Sequence, residues 1–159
     1  MISAVASALA LSALAATAGP CDLLDRAAAA KLLGAAVTQM DPSGPEPDED
    51  TGASRSTCVY MAGQRMLVVI RLDFPSAAAA SEMTTTELQG ERLTAENATV
   101  KEEPGAGDKA WLVRTPKALE YIVLKGSTVL TLALGGVPTP LDAYEAQLRT
   151  DGKAAAAKL

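Results

Sequence analysis

The sequence predicts an α+β fold: an antiparallel sheet of about five to six strands with helices packed mainly on one face. Three observations carry that reading. Residues 66–74 alternate between two sets of side chains, the period of a pleated strand. Residues 118–125 and 128–135 are apolar runs separated by Gly126-Ser127, the spacing of a two-residue hairpin. Alanine-rich stretches at helical spacing stand before, between and after the strand runs, bounded by Pro, Gly or a capping side chain.

With 159 residues the chain can build one domain with a real core but not two. A hydrophobic content of 48% excludes general disorder, and only 3% aromatics means the core is made of Ala, Val and Leu. The 14 Lys and Arg never occur side by side, so the clustered cations that bind phosphates are missing and nucleic acid is excluded as a partner. Histidine is absent. Ser-His and Cys-His nucleophilic chemistry is therefore impossible within this chain, and the commonest zinc ligand is gone.

Residues 1–18 contain no charge, residues 4–16 form an apolar run, and Ala16-Thr17-Ala18 supplies the small residues a signal peptidase reads. Cleavage after Ala18 is expected, although the usual positive start is missing. A buried helix and a retained anchor are the competing readings. Gly19-Pro20 weighs against the first, and shortness with high alanine content against the second. Cys21 follows closely, but Pro20 stands where a lipobox requires a small residue, so lipidation and membrane association are not favoured.

Cys21 and Cys58 are the only cysteines. In an oxidising compartment such a pair is expected to form one disulfide, since two thiols without histidine do not make a metal site and the spacing is not Cys-x-x-Cys.

Along the chain, Asp22 is expected to cap a helix over 23–33 that Gly34 ends. Residues 41–56, rich in Pro, Gly and acids, read as an exposed loop. Its Asp48-Glu49-Asp50 run lacks the alternating oxygens and central Gly of a calcium loop. Residues 57–61 and 66–74 form a hairpin turning near Gly63, with Met66, Val68, Ile70, Leu72 and Phe74 on one face of the second strand. Pro75 opens a helix to Gln89 with Ala79, Ala80, Met83 and Leu88 inward and Gly90 as the stop.

A strand over 98–102 leads to the turn Pro104-Gly105-Ala106-Gly107-Asp108, whose glycines match no phosphate-binding pattern. Trp111 reads as a core anchor. In the hairpin that follows, a type II′ turn at Gly126-Ser127 pairs Leu119 with Leu134, Tyr121 with Leu132 and Val123 with Leu130. Thr139-Pro140 starts a helix bearing Leu141, Tyr144 and Leu148, and residues 152–159 are expected to fray. The domain plan is thus a signal peptide over 1–18, a single domain over 19–151 and a tail.

These residues resemble a family. The opening CDLLDRAAAAKLLGAAV, the later Cys58-Val59-Tyr60 and the Pro104 to Ala110 turn are similar to small bacterial envelope proteins of unknown function, best known from actinobacterial lipoproteins of the Cys-x-Leu-Leu type. The resemblance covers roughly residues 21–150. It implies a PsbP-like α+β sandwich, supports the Cys21–Cys58 bond, and brings no activity and no site residues.

The sequence therefore predicts an exported periplasmic or extracellular envelope protein: a non-catalytic binding or interaction module with no cofactor and no metal. Its partner would be an envelope protein or, in the alternative reading, a small apolar ligand carried or sensed between the layers. An enzyme is the third reading. The groups available to it are Asp73, Asp108, Glu120 and Lys109, and no spacing brings two of them together.

Overall fold

The computed structural model describes residues 18–94 and 97–159; residues 1–17 of the expected signal peptide lie outside them. Two short helices, α1 (Pro20–Leu23) and α2 (Arg26–Leu33), lead into three strands: β1 (Gln39–Pro47), β2 (Ser54–Ala62) and β3 (Arg65–Asp73). Helix α3 (Ala77–Thr94) precedes four more strands: β4 (Thr99–Glu103), β5 (Lys109–Arg114), β6 (Ala118–Lys125) and β7 (Thr128–Gly135). Helix α4 (Asp142–Ala157) closes the chain. The strands form one seven-stranded sheet in the order β1-β2-β3-β7-β6-β5-β4, antiparallel throughout.

The central hairpin has the expected register, pairing Leu119 with Leu134, Tyr121 with Leu132 and Val123 with Leu130. Gly126 takes the positive φ that the turn requires, 58°. Because both faces of β6 and β7 are apolar, both need cover, and the helices divide between them. Helices α1, α2 and α4 seal one face over Tyr60, Leu67, Tyr121, Val123, Leu130 and Leu132. Helix α3 lies on the other, over Val113, Ile122, Leu124 and Val129. Three of the four helices thus share one face, and α3 takes the other.

Cys21 and Cys58 are joined, with Cα atoms 5.3 Å apart. Two residues along β2, on the same face, the buried Tyr60 hydroxyl donates to the carbonyls of Leu24 and Cys21. Burial first, then the charges of Asp25 and Asp22, pushes the Tyr60 pKa up to about 12, so the phenol remains a donor. The other two carbonyls at this end of α1, those of Asp22 and Leu23, each accept from Lys158 Nζ at 3.0 Å. All four terminal carbonyls of a one-turn helix are thereby satisfied by side chains from distant parts of the chain.

Several expectations are corrected. The sheet has seven strands where about five to six were expected. Residues 41–56, read as a loop, contribute most of β1 and the start of β2. All nine residues of β1 are exposed, so no alternation marks it, and an edge position tolerates Pro42, Pro45 and Pro47 because little of the ladder depends on their missing N–H groups. The first helix is broken in two. Asp25 caps α2 by accepting from the Ala28 N–H at 2.8 Å, while Asp22 accepts from the Gly19 N–H at 3.1 Å.

Gly34 ends α2 with a φ of 61°, but α3 runs through Gly90, because a glycine stops a helix only where its backbone turns left-handed. Helix α4 starts at Asp142 with Leu141 as its cap, so Thr139 does not cap it. Trp111 is only half-buried, against the α3 cluster. Asp108 reaches away from its own turn and accepts from the Gly126 N–H at 2.6 Å.

Residues 152–159 do not fray: α4 continues to Ala157, with Ala155 and Ala156 buried. Gly152 makes this docking possible, since a Cβ there would stand 2.2 Å from the Tyr121 ring. Gly152→Ala is expected to cost about 1–3 kcal/mol by overpacking, measured by urea denaturation. Unchanged stability would mean that the end of α4 does not press on Tyr121. Reducing the disulfide, which closes a separation of 37 residues, is expected to lower stability by roughly 4 kcal/mol in the chain-entropy model. Cys58→Ala should match the reduced protein in the same assay, and the difference should vanish if the bond does not form.

Candidate functional site

The four groups that chemistry could have used are dispersed. Asp73 is held by Arg71, which donates Nε and Nη2 to the carboxylate at 2.8 and 3.0 Å, and by the Thr128 hydroxyl at 2.7 Å. Asp108 supports the β6–β7 turn. Lys109 is exposed at the start of β5. The sheet holds Asp73 and Glu120 on opposite faces, since Asp73 alternates with Leu67 and Val69 of the sealed face while Glu120 alternates with Ile122 of the α3 face. Asp48, from the acidic run, accepts from the Thr51 N–H at 3.0 Å and the Thr51 hydroxyl at 2.9 Å, fixing the β1–β2 connection. Among the described residues no three His, Cys, Asp or Glu side chains gather as a metal site would require. The Cys21 sulfur is taken up in the disulfide.

A different region stands out, and the alternation of β3 builds it. Leu67 and Val69 are fully buried beneath the three-helix layer. Their neighbours Met66, Val68, Ile70 and Leu72 point to the α3 side, where α3 lies chiefly over β4, β6 and β7, and only Leu72 of these four packs against the cluster that α3 covers. Met66 is 41% exposed; Val68, Ile70 and Leu72 are half-buried. Cross-strand pairs widen this strip: Met66 lies between Met61 and Gly135, and Val68 between Val59 and Ala133. Three of the four described methionines, Met61, Met66 and Met83, border it, and methionine suits adaptable apolar contacts.

Where the strip meets α3 it deepens into a groove of about 480 Å³. Ile70, Leu72, Thr131 and Ala133 form its floor, and Met83 and Glu87 of α3 one wall. Asp48, Asp50 and Thr51 of the β1–β2 connection line the groove with Arg55. Asp48, Asp50, Glu87 and Glu120 line it together with Arg55, whose guanidinium lies 3.5 Å from Asp48. The rim is acidic. The arrangement offers an apolar floor under a negative edge. The strand period showed both faces of β3, but nothing in the sequence says that α3 stops short of half the sheet.

No protein-family model matches the chain, and no curated protein matches it in sequence. The fold, however, has a counterpart. It is similar to the extracellular domain of PknH from Mycobacterium tuberculosis, with a TM-score of 0.59 over 86% of this chain and 92% of that domain. Identity is 12%, so the likeness is one of fold. Among the described residues no helix is long and apolar enough to cross a membrane.

The groove edge should respond to acid. The hydrogen bonds from Thr51, side chain before backbone, hold the Asp48 carboxyl below its usual 3.8, with Arg55 adding to the effect. The ionised form is favoured by the folded loop, so its contribution is present above the unfolded value and is lost as pH falls through the folded one. Below about pH 4, hydrogen-exchange protection at the Thr51 amide, corrected for intrinsic exchange, is expected to fall. In Asp48→Asn that pH dependence should disappear; a loss of equal size in the variant would contradict it.

Proposed function

We propose that this chain is an exported, non-catalytic recognition module of the cell envelope that holds its partner on the uncovered half of the α3 face. The observation that carries the reading is the contrast between the two sides of β3. One side is sealed under three helices, and the other presents an apolar strip ending in an acid-lined groove. Burying such a strip on a partner yields about 25 cal/mol for each Å² of apolar surface removed from water. Contiguous apolar surface left open on a folded domain marks a contact site.

Export is supported by the disulfide, the apolar leader with its small-residue cleavage pattern, and the likeness to a domain described as extracellular. A non-catalytic role is supported by the absence of histidine and by the structural engagement of Asp73 and Asp108. A second reading, a small apolar ligand in place of a protein, draws on the groove volume of about 480 Å³, within the range of roughly 300–1,000 Å³ for small-molecule sites.

A photo-crosslinking residue placed at Met66 in the exported protein is expected to give a discrete adduct in intact cells. The same residue at Ala143, exposed on α4, should give none. The adduct mass separates a protein partner from a small ligand. No adduct at Met66, or the same adducts from both positions, would rule the module reading out.

A further inference from the structure

We infer that the groove between α3 and β3 takes an uncharged aliphatic chain bearing one hydroxyl, which the Thr131 side chain meets on the groove floor. The inference rests on the reading of this face as a recognition surface and names the chemical class that its deepest part accepts.

Thr131 selects the ligand. It is only 8% exposed, yet it stands in the lining of the groove. Its cross-strand partners are Ile70 of β3 and Ile122 of β6, so its hydroxyl sits between hydrocarbon side chains. No hydrogen bond among the described residues engages that hydroxyl. The other buried threonine behaves differently: Thr84 donates its hydroxyl to the Ala80 carbonyl at 2.8 Å. On the same strand as Thr131, the Thr128 hydroxyl donates to Asp73 at 2.7 Å. A strand position flanked by two isoleucines would accept valine equally well, without drying a hydroxyl that gains no bond in return. On the floor of an open groove, the partner of that hydroxyl comes from outside the chain.

The remaining lining sets the rest of the ligand. Ile70, Leu72 and Ala133 complete the floor, and Met83 stands in the wall. No aromatic side chain lines the groove, so nothing there favours a flat ring by stacking. A flexible hydrocarbon suits these aliphatic groups, and the thioether of Met83 follows its bends. A threonine hydroxyl both donates and accepts, which matches an alcohol in either sense. A charged group brought to the same point would exchange its water for one neutral dipole, a poor compensation.

The test uses octanol, with octanoate and octyltrimethylammonium as charged counterparts of the same chain. Methyl NMR spectra of the mature protein are expected to show saturable shifts at Ile70 and Met83, and none at Leu67 or Leu130 on the sealed face. Thr131→Val should weaken octanol binding about threefold to tenfold while melting no lower than the parent protein. Thr131→Ser keeps the hydroxyl and should hold the affinity to within about twofold. Both charged compounds should bind at least about tenfold more weakly than octanol.

No shift at Ile70 and Met83 up to the solubility of octanol, undiminished affinity in Thr131→Val, or equal or tighter binding of either charged compound would overturn the inference. A discrete adduct at Met66 in a protein that ignores octanol would remove this inference alone and leave the module reading standing; loss of adduct and octanol binding together would remove both.

Discussion

The four carbonyls that close α1 impose the constraint on which the rest of the molecule turns. A helix of one turn cannot satisfy its own C-terminal acceptors, and a buried one left bare would cost about 1–3 kcal/mol. Here Tyr60 reaches two of them from β2, and Lys158 reaches the other two from just beyond α4. The Cys21–Cys58 bond fixes the same turn covalently, one strand position pair away. The first and last described segments therefore meet at one point, and neither docks fully without the other. The Cys-x-Tyr spacing has a plain meaning: alternate residues of a strand share a face, so sulfur and hydroxyl address the same helix.

The same face is locked again along α4. Arg114 donates to Asp142 at 2.5 Å and to Glu145 at 2.6 Å, while Arg149 pairs with Glu145 at 3.1 Å and with the buried Glu103 at 3.0 Å. Single exposed pairs are worth little, but a connected row that ties a helix to β4 and β5 fixes its position. The asymmetry of the molecule, one face closed by covalent, polar and charged ties and the other half open, gives the surface its functional reading.

Much of this is legible in the sequence, for physical reasons that differ by element. The β6–β7 register followed from a glycine turn and alternating leucines, because a one-residue slip would have exposed every core side chain. The disulfide follows from cysteine arithmetic and the apolar run that precedes Cys21. What escaped reading had no periodic signature. Strand β1 is polar on both sides because it is an exposed edge, and its prolines mimic a loop. The end of α4 looked expendable because alanine and glycine resemble low complexity, yet Gly152 is small for a reason that only the Tyr121 ring supplies. The candidate surface was half legible: the strand faces were there to read, but which of them a helix would leave bare depends on where α3 lands.

Prolines 42, 45 and 47 also bear on how the protein survives exposure of its own interior. A molecule that displays an unsealed apolar sheet face is a template for stacking, and an unguarded outer strand beside it would let copies add edge to edge into a fibril. Missing N–H groups at three of nine positions interrupt that ladder before it can propagate. Apolar surface can thus stay uncovered on the sheet face without the outermost strand offering a rail for edge-to-edge growth, a colloidal safeguard written into β1.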